Sequence, residues 1–160
     1  MVAQLTSIDT HQLKVMHNIN LRQSTESDRG FVNHLTERTM SAYVEATWSS
    51  LEDRAHYFSM NQFDQAKTRI IQCDGEDVGR ITVSYLHDRV VLEAIHIDEV
   101  FQGKGIGGYL IKRVIGEAKE RRLPLELILL KANPAIRLYE RTGFRVYRQD
   151  DNRYYMRVAE

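Results

Sequence analysis

The stretch Ile95-His-Ile-Asp-Glu-Val-Phe-Gln-Gly-Lys-Gly-Ile-Gly-Gly108 decides how this chain folds. It begins as the apolar end of a strand. It closes as the first turn of a helix whose apolar stripe is Ile106, Leu110, Ile111, Val114, Ile115 and Ala118. Four of the nine glycines fall between Gly103 and Gly108. The first turn of any helix carries backbone N–H groups without intrahelical partners, and no Ser, Thr, Asp or Asn stands here to cap them. Glycines strip that end of side chains, so a bulky group can approach the backbone. A bare helix N-terminus with its positive dipole is an anion site, suited to a phosphate or pyrophosphate, and Lys104 adds charge beside it. A turn that merely tolerates glycine would need fewer of them. Gly103, Gly105 and Gly108 also spell G-x-G-x-x-G, the dinucleotide fingerprint. Its context is wrong: the next strand ends Leu129-Leu130-Lys131 rather than in an acid that grips ribose, and the Gly-Lys-Ser/Thr of a P-loop is absent.

Outward from this loop the chain reads as alternating elements. Upstream, Val90–Ile97 is a strand, preceded by Val78–Leu86 with period-two alternation and by Thr68–Gln72, which runs into an Asp74-Gly75 turn. Short links between them predict an antiparallel meander. Leu51, Ala55, Phe58 and Gln62 recur at helical spacing and predict a helix from Leu51 to Phe63. Phe31, Leu35, Met40, Tyr43 and Val44 predict another after the caps at Ser24 to Asp28. Ile19–Arg22 is a short first strand. Downstream, the glycine helix runs from Gly105 to about Arg122 and Pro124 stops it. Leu125–Leu130 is nearly all apolar, as for a strand covered on both faces. Asn133-Pro134 opens a short helix that Gly143 closes, and Phe144–Tyr147 and Tyr154–Val158 finish the chain as two strands. The order β-α-α-β-β-β-α-β-α-β-β predicts an α/β fold, with a mixed, mostly antiparallel central sheet flanked by helices on both faces. Residues 1–17 read as an N-terminal extension without periodicity, and 18–160 as a single domain.

Composition bounds the function. At 160 residues one domain is the default. The 22 basic and 22 acidic side chains cancel, which argues against a dedicated nucleic-acid binder. The balance hides an asymmetry: residues 1–80 hold 8 basic and 11 acidic side chains, and residues 81–160 hold 14 and 11. No stretch reaches the roughly 20 apolar residues of a membrane span, and no signal peptide stands at the N-terminus. Lone Cys73 points to a reducing, cytoplasmic setting. The six histidines have no metal-site spacing, so no metal is expected.

These motifs together resemble the GNAT superfamily of acyl-CoA-dependent N-acyltransferases. That family's Gln/Arg-x-x-Gly-x-Gly/Ala pattern is filled by Gln102, Gly105 and Gly107. Its second pattern appears as Asn133-Pro-Ala-Ile-Arg-Leu-Tyr-Glu-Arg-Thr-Gly-Phe144. The resemblance covers the element order from Ile19 to Val158. Asn133 precedes Tyr139 by six residues, where many members have seven.

The resemblance implies acetyl-CoA as cosubstrate, with Gln102, Gly103, Lys104, Gly105, Ile106, Gly107 and Gly108 around its pyrophosphate. It implies that Ile95 and Ile97 pair with the pantetheine arm like an extra strand, with the Ile95 amide polarising the thioester carbonyl. Asn133 would contact the arm, and Tyr139 would protonate the departing thiolate. A phenol with pKa near 10 suits that proton transfer. For the base, Glu93 lies two residues before Ile95 and by alternation shares its side-chain face. His96 then points to the opposite face as a packed histidine, His87 sits in the preceding turn, and Glu126 is a weaker candidate.

Tyr43, Glu45, Trp48 and Tyr154 or Tyr155 are candidate linings of the acceptor side, although Tyr43 and Trp48 also suit plain packing. The acidic first half suits a cationic primary amine, of a small molecule or a peptide. The competing class is a non-catalytic acyl-CoA-binding module of the same fold, and a nucleotide oxidoreductase comes third. Neither nucleic acid nor membrane is an expected partner, and edge-strand pairing offers a route to a homodimer.

Overall fold

The computed structural model describes residues 17–158. Its strands are β1 (Ile19–Gln23), β2 (Thr68–Cys73), β3 (Glu76–Tyr85), β4 (Val90–Ile97), β5 (Leu125–Leu130), β6 (Phe144–Gln149) and β7 (Arg153–Val158). Its helices are α1 (Arg29–Thr47), α2 (Leu51–Met60), α3 (Ile106–Glu120) and α4 (Ile136–Thr142). The strands form one sheet in the order β1-β2-β3-β4-β5-β7-β6. Every pairing is antiparallel except β4 with β5. The α/β fold and the order of elements are those expected from the sequence. The expected 1–17 extension lies outside the described residues except for His17. That residue is tied in: its Nδ1 is 3.0 Å from Asp74 Oδ2, and the neighbouring Asn18 N–H donates to the same carboxylate at 3.0 Å.

Two helix boundaries move for local reasons. The helix expected to reach Phe63 stops at Met60, because the Phe63 N–H donates to Asn33 Oδ1 at 2.9 Å and ties the chain to α1. The helix expected from Pro134 starts at Ile136, because Asn133 Oδ1 accepts from the Ala135 N–H at 3.0 Å and holds a preceding turn. Strand β3 is buried from Val78 to Ser84. Its apolar residues Ile81 and Val83 join the main core with α3. Its polar residues face α1 as a buried hydrogen-bonded layer, with Thr68 and Thr82 hydroxyls 2.9 Å apart and Arg80 donating to Thr36 at 3.0 Å.

Two layers of side chains hold the helices on opposite faces. The larger core joins α3 (Leu110, Ile111, Val114) to β3, β4, β5 and Phe144. On the other face Met40 and Val44 of α1 pack on Leu130, and Val32 packs on Phe63 and Ile70. The decisive feature lies between. Strands β4 and β5 pair only at Val90 with Leu125 and Val91 with Glu126. Beyond that, β4 stays with β3 and β5 stays with β7, so the sheet splits at its centre.

Candidate active site

The split leaves one edge of β4 open from Leu92 onward. Backbone direction on that edge follows from the ladder. The Asp98 N–H donates to the Val78 carbonyl at 2.8 Å, so the amide of Asp98 faces β3. Alternation then turns His96 toward β3 and leaves Ile95 and Ile97 facing the gap. The Ile97 carbonyl is taken by Gln102 Nε2 at 2.8 Å. The Gln102 side chain therefore fastens the glycine loop to the strand end.

The loop itself has the backbone that glycine permits. Gly103 and Gly105 have φ of 75° and 86°, the left-handed region. Gly105 is the N-cap of α3 and supplies no side-chain cap; the first intrahelical bond is Tyr109 N–H to Gly105 O at 3.1 Å. The amides of Ile106, Gly107 and Gly108 are thus left for a ligand. A Cβ at Gly107 would lie 3.6 Å from Leu138 and 3.7 Å from Ile97, ordinary contacts. Bareness at Gly107 therefore serves the space outside the protein rather than its packing.

A cavity of about 580 Å³ runs from this loop along the split. Ile95, Ile97, Gln102, Gly103, Gly105, Ile106, Gly107, Gly108, Asn133 and Tyr139 all line it. Lys104 does not; its ammonium sits 5.1 Å from the centre of the Phe101 ring, which does line it. The Oδ1 of Asn133 is engaged in the turn before α4, so its amide nitrogen is the end free for the cavity. Arg141, from the last turn of α4, adds a cation that the sequence motifs did not flag.

Tyr139 is 7% exposed, and its ring meets Phe144 edge-on at 5.6 Å. Burial pushes its phenol above the usual range. Such a group holds its proton and acts as a donor rather than an anion.

Glu93 is not where alternation put it. Residues Thr82 and Val83 pair with Ala94 and Leu92, so β4 carries an extra residue there, a β-bulge. The bulge turns Glu93 to the face opposite Ile95. Its carboxylate accepts from Ser84 Oγ at 2.8 Å and lies 3.5 Å from Lys67 Nζ. It lines a second cavity, about 570 Å³, which opens on the split from the α2 side and is shared with His56, Tyr57, Lys67, Arg80, Ile128 and Arg153.

His96 shares the Glu93 face, packed as expected; Arg80 Nε donates to its Nδ1 at 3.1 Å, and burial with that cation pushes its pKa down to about 3. Its imidazole is neutral and already occupied as an acceptor. Glu126 is held by Arg157 at 2.8 Å at the end where β4 and β5 still pair, and His87 is exposed beside Asp88. Of the acceptor candidates, Tyr43 lines the first cavity. Glu45, Trp48, Tyr154 and Tyr155 line neither; Trp48 instead packs against Tyr57 at 5.7 Å.

A family model described as an acetyltransferase (GNAT) domain matches residues 64–146. The chain belongs to the GNAT acetyltransferase family. It is 31% identical over 143 residues to the spermine/spermidine N(1)-acetyltransferase of Bacillus subtilis (strain 168), covering 79% of this chain and 88% of that one. The crystal structure of the PaiA N-acetyltransferase from Thermoplasma acidophilum in complex with coenzyme A has the same fold, with a TM-score of 0.70 at 14% identity, over 89% of this chain and 99% of that one. An acetyltransferase from Thermus thermophilus matches with a TM-score of 0.66 at 18% identity, over 89% and 98%. This GNAT chain is accordingly an acetyl-CoA-dependent acetyltransferase. No described helix is long and apolar enough to cross a membrane.

The glycine loop yields a direct prediction. Alanine at Gly105 must adopt φ near 86°, at a cost of about 1–2 kcal/mol, or the loop relaxes and turns its amides away. Gly105→Ala is expected to weaken coenzyme A binding by roughly tenfold, equal to about 1.4 kcal/mol. Gly107→Ala, where the Cβ meets only ordinary contacts and the family pattern admits Ala, changes it by less. Calorimetric titration of both variants with coenzyme A measures the contrast, and equal affinities would refute it.

Proposed function

We propose that this chain transfers the acetyl group of acetyl-CoA to the primary amine of a small molecule. The cofactor lies along the split between β4 and β5, and the acceptor enters from the α2 side. The observation that carries this reading is the pair of cavities that follow one another along β4 at the split, one lined by Ile95, Ile97 and the glycine loop and the other by Glu93. The small amines named for the Bacillus relatives support a small-molecule acceptor over a protein one.

Acetyl-CoA supplies a thioester with an electrophilic carbonyl carbon. The amides of Ile106 to Gly108 hold its phosphates, with Lys104 and Arg141 adding charge. The open amides of Ile95 and Ile97 hold the arm, Asn133 contacts it, and the Ile95 N–H faces the place where negative charge develops on the carbonyl oxygen. Glu93 takes a proton from the incoming ammonium, directly or through one water; the neutral nitrogen bonds to the carbonyl carbon, the C–S bond breaks as Tyr139 delivers a proton to the leaving sulfur, and the second proton leaving the nitrogen restores the phenol. The chain works as one domain from about His17 onward, in a cytoplasmic setting where buried Cys73 stays a free thiol.

The test is acetyl-CoA turnover against a panel of primary amines. At neutral pH, Glu93→Gln is expected to lower kcat/KM by roughly 10–100-fold. The loss shrinks as pH approaches the pKa of the acceptor amine, which then arrives already neutral. A loss that stays constant with pH would remove Glu93 as base. Absence of turnover with every amine, despite coenzyme A binding, would overturn the enzymatic reading.

A further inference from the structure

Arg80 is the anomaly of this fold. It lies in the middle of β3, 2% exposed. Its three hydrogen-bond acceptors are the hydroxyls of Thr36 and Thr82 and the His96 Nδ1, all neutral. A buried guanidinium is ordinarily paired with an anion. Here Glu93, the carboxylate on its face of the split, is engaged by Ser84 and Lys67 instead. Arg80 has five N–H groups and commits three of them. Its side chain lines the cavity on the α2 side of the split.

Apart from Arg80, the cavity is lined by the cations Lys67 and Arg153 and by the carboxylates Asp64 and Glu93, which balance. Arg153 sits with its guanidinium 5.3 Å from the Trp48 ring centre, without a carboxylate partner among the described residues. Arg80, Arg153 and Tyr57 line the same cavity. Three acidic side chains of the first half of the chain are paired elsewhere: Arg22 takes Asp28 and Asp77, and Arg29 takes Glu26. Of the three cations here, only Lys67 has a carboxylate partner among the described residues.

We propose that this cavity takes an amine that also bears a carboxylate, and that Arg80, assisted by Arg153, holds the carboxylate while Glu93 faces the amine. This deepens the acetyltransferase reading and rests on it. Arg80 pairs across the ladder with His96, next to Ile95, whose amide faces the split. Arg80 and Glu93 line the same cavity, so the acceptor has its carboxylate and its amine both held within it, an α-amino acid being the simplest case. The cavity of about 570 Å³ leaves room for a side chain.

The experiment compares matched acceptors: phenylalanine with phenethylamine and lysine with cadaverine, with spermidine as a polycation. Wild-type protein is expected to favour the amino acid in kcat/KM by roughly 10–100-fold, the worth of a charge-assisted hydrogen bond or two. The ratio should fall toward one in Arg80→Gln and in Arg153→Gln, chiefly through KM, and recover in part in Arg80→Lys. Should Arg80→Gln fail to fold, Arg153→Gln and the wild-type ratio still decide. Equal or better turnover of phenethylamine, cadaverine or spermidine by wild-type protein overturns the carboxylate site and leaves the acetyltransferase reading standing. Acetylation of no amine at all overturns both.

Discussion

Tyr139→Phe is expected to lower kcat by roughly 10²–10⁴-fold, while melting temperature and coenzyme A affinity stay near wild type. The separation follows from what the hydroxyl does and does not touch. Its ring packs edge-on against Phe144 inside the main core, and phenylalanine preserves that contact. Burial alone perturbs the phenol, with no hydrogen bond to the hydroxyl among the described residues, and Tyr139 lines the cavity that runs from the glycine loop. Its removal therefore orphans no protein group, and removes only a donor aimed into the cofactor space.

Burial raises the Tyr139 pKa above its ordinary value near 10. The acid form thus persists throughout the usual assay range, so any fall of kcat below about pH 10 belongs to another group. Steady-state kinetics with the best amine of the panel, together with thermal denaturation, measure both halves. A variant within threefold of wild type in kcat would show that the leaving sulfur finds its proton elsewhere.

What could be read in advance divides along physical lines. The glycine loop was legible because its chemistry is local: an uncapped helix start with clustered glycines means unpaired amides in any fold. Tyr139 and Asn133 came only through family resemblance, since a tyrosine on a short helix is ordinarily core. The face of Glu93 was misread because a bulge is a property of two strands. Nothing between Val90 and Ile97 signals that Thr82 and Val83 will oppose Ala94 and Leu92. The acceptor cavity was largely invisible, because α2, β3, β4, β5 and β7 contribute only one to four residues each. One sign was present: Arg80 interrupts a run of residues that proved buried on both faces, from Val78 to Ser84. The period-two pattern alone does not say what covers the polar face, and α1 covers it.

Gly79→Ala is expected to destabilise the protein by about 2–4 kcal/mol and to lower turnover as well. Gly79 opposes Ile97 across the β3–β4 ladder. A Cβ there would stand 2.4 Å from the His96 backbone oxygen and 3.2 Å from the Ile97 Cα. These are backbone atoms, so no rotamer change relieves the clash; the two strands must part. At this chain length each kcal/mol corresponds to about 2–4 °C in Tm, which places the loss at roughly 4–16 °C. Gly30 and Gly116 are the controls. Both lie within helices, with nothing within 4 Å of a Cβ, and alanine there should be neutral or stabilising by about 0.5–1 kcal/mol. The functional cost arises because the segment pushed away from β3 carries the open amides of Ile95 and Ile97 into the split. A shift of about 1 Å at such groups can cost on the order of 10²-fold in rate. Turnover per folded molecule, measured well below the variant's melting temperature, separates this effect from simple unfolding. If Gly79→Ala melted within about 2 °C of wild type, the close approach of β3 to β4 would not be what positions the thioester edge.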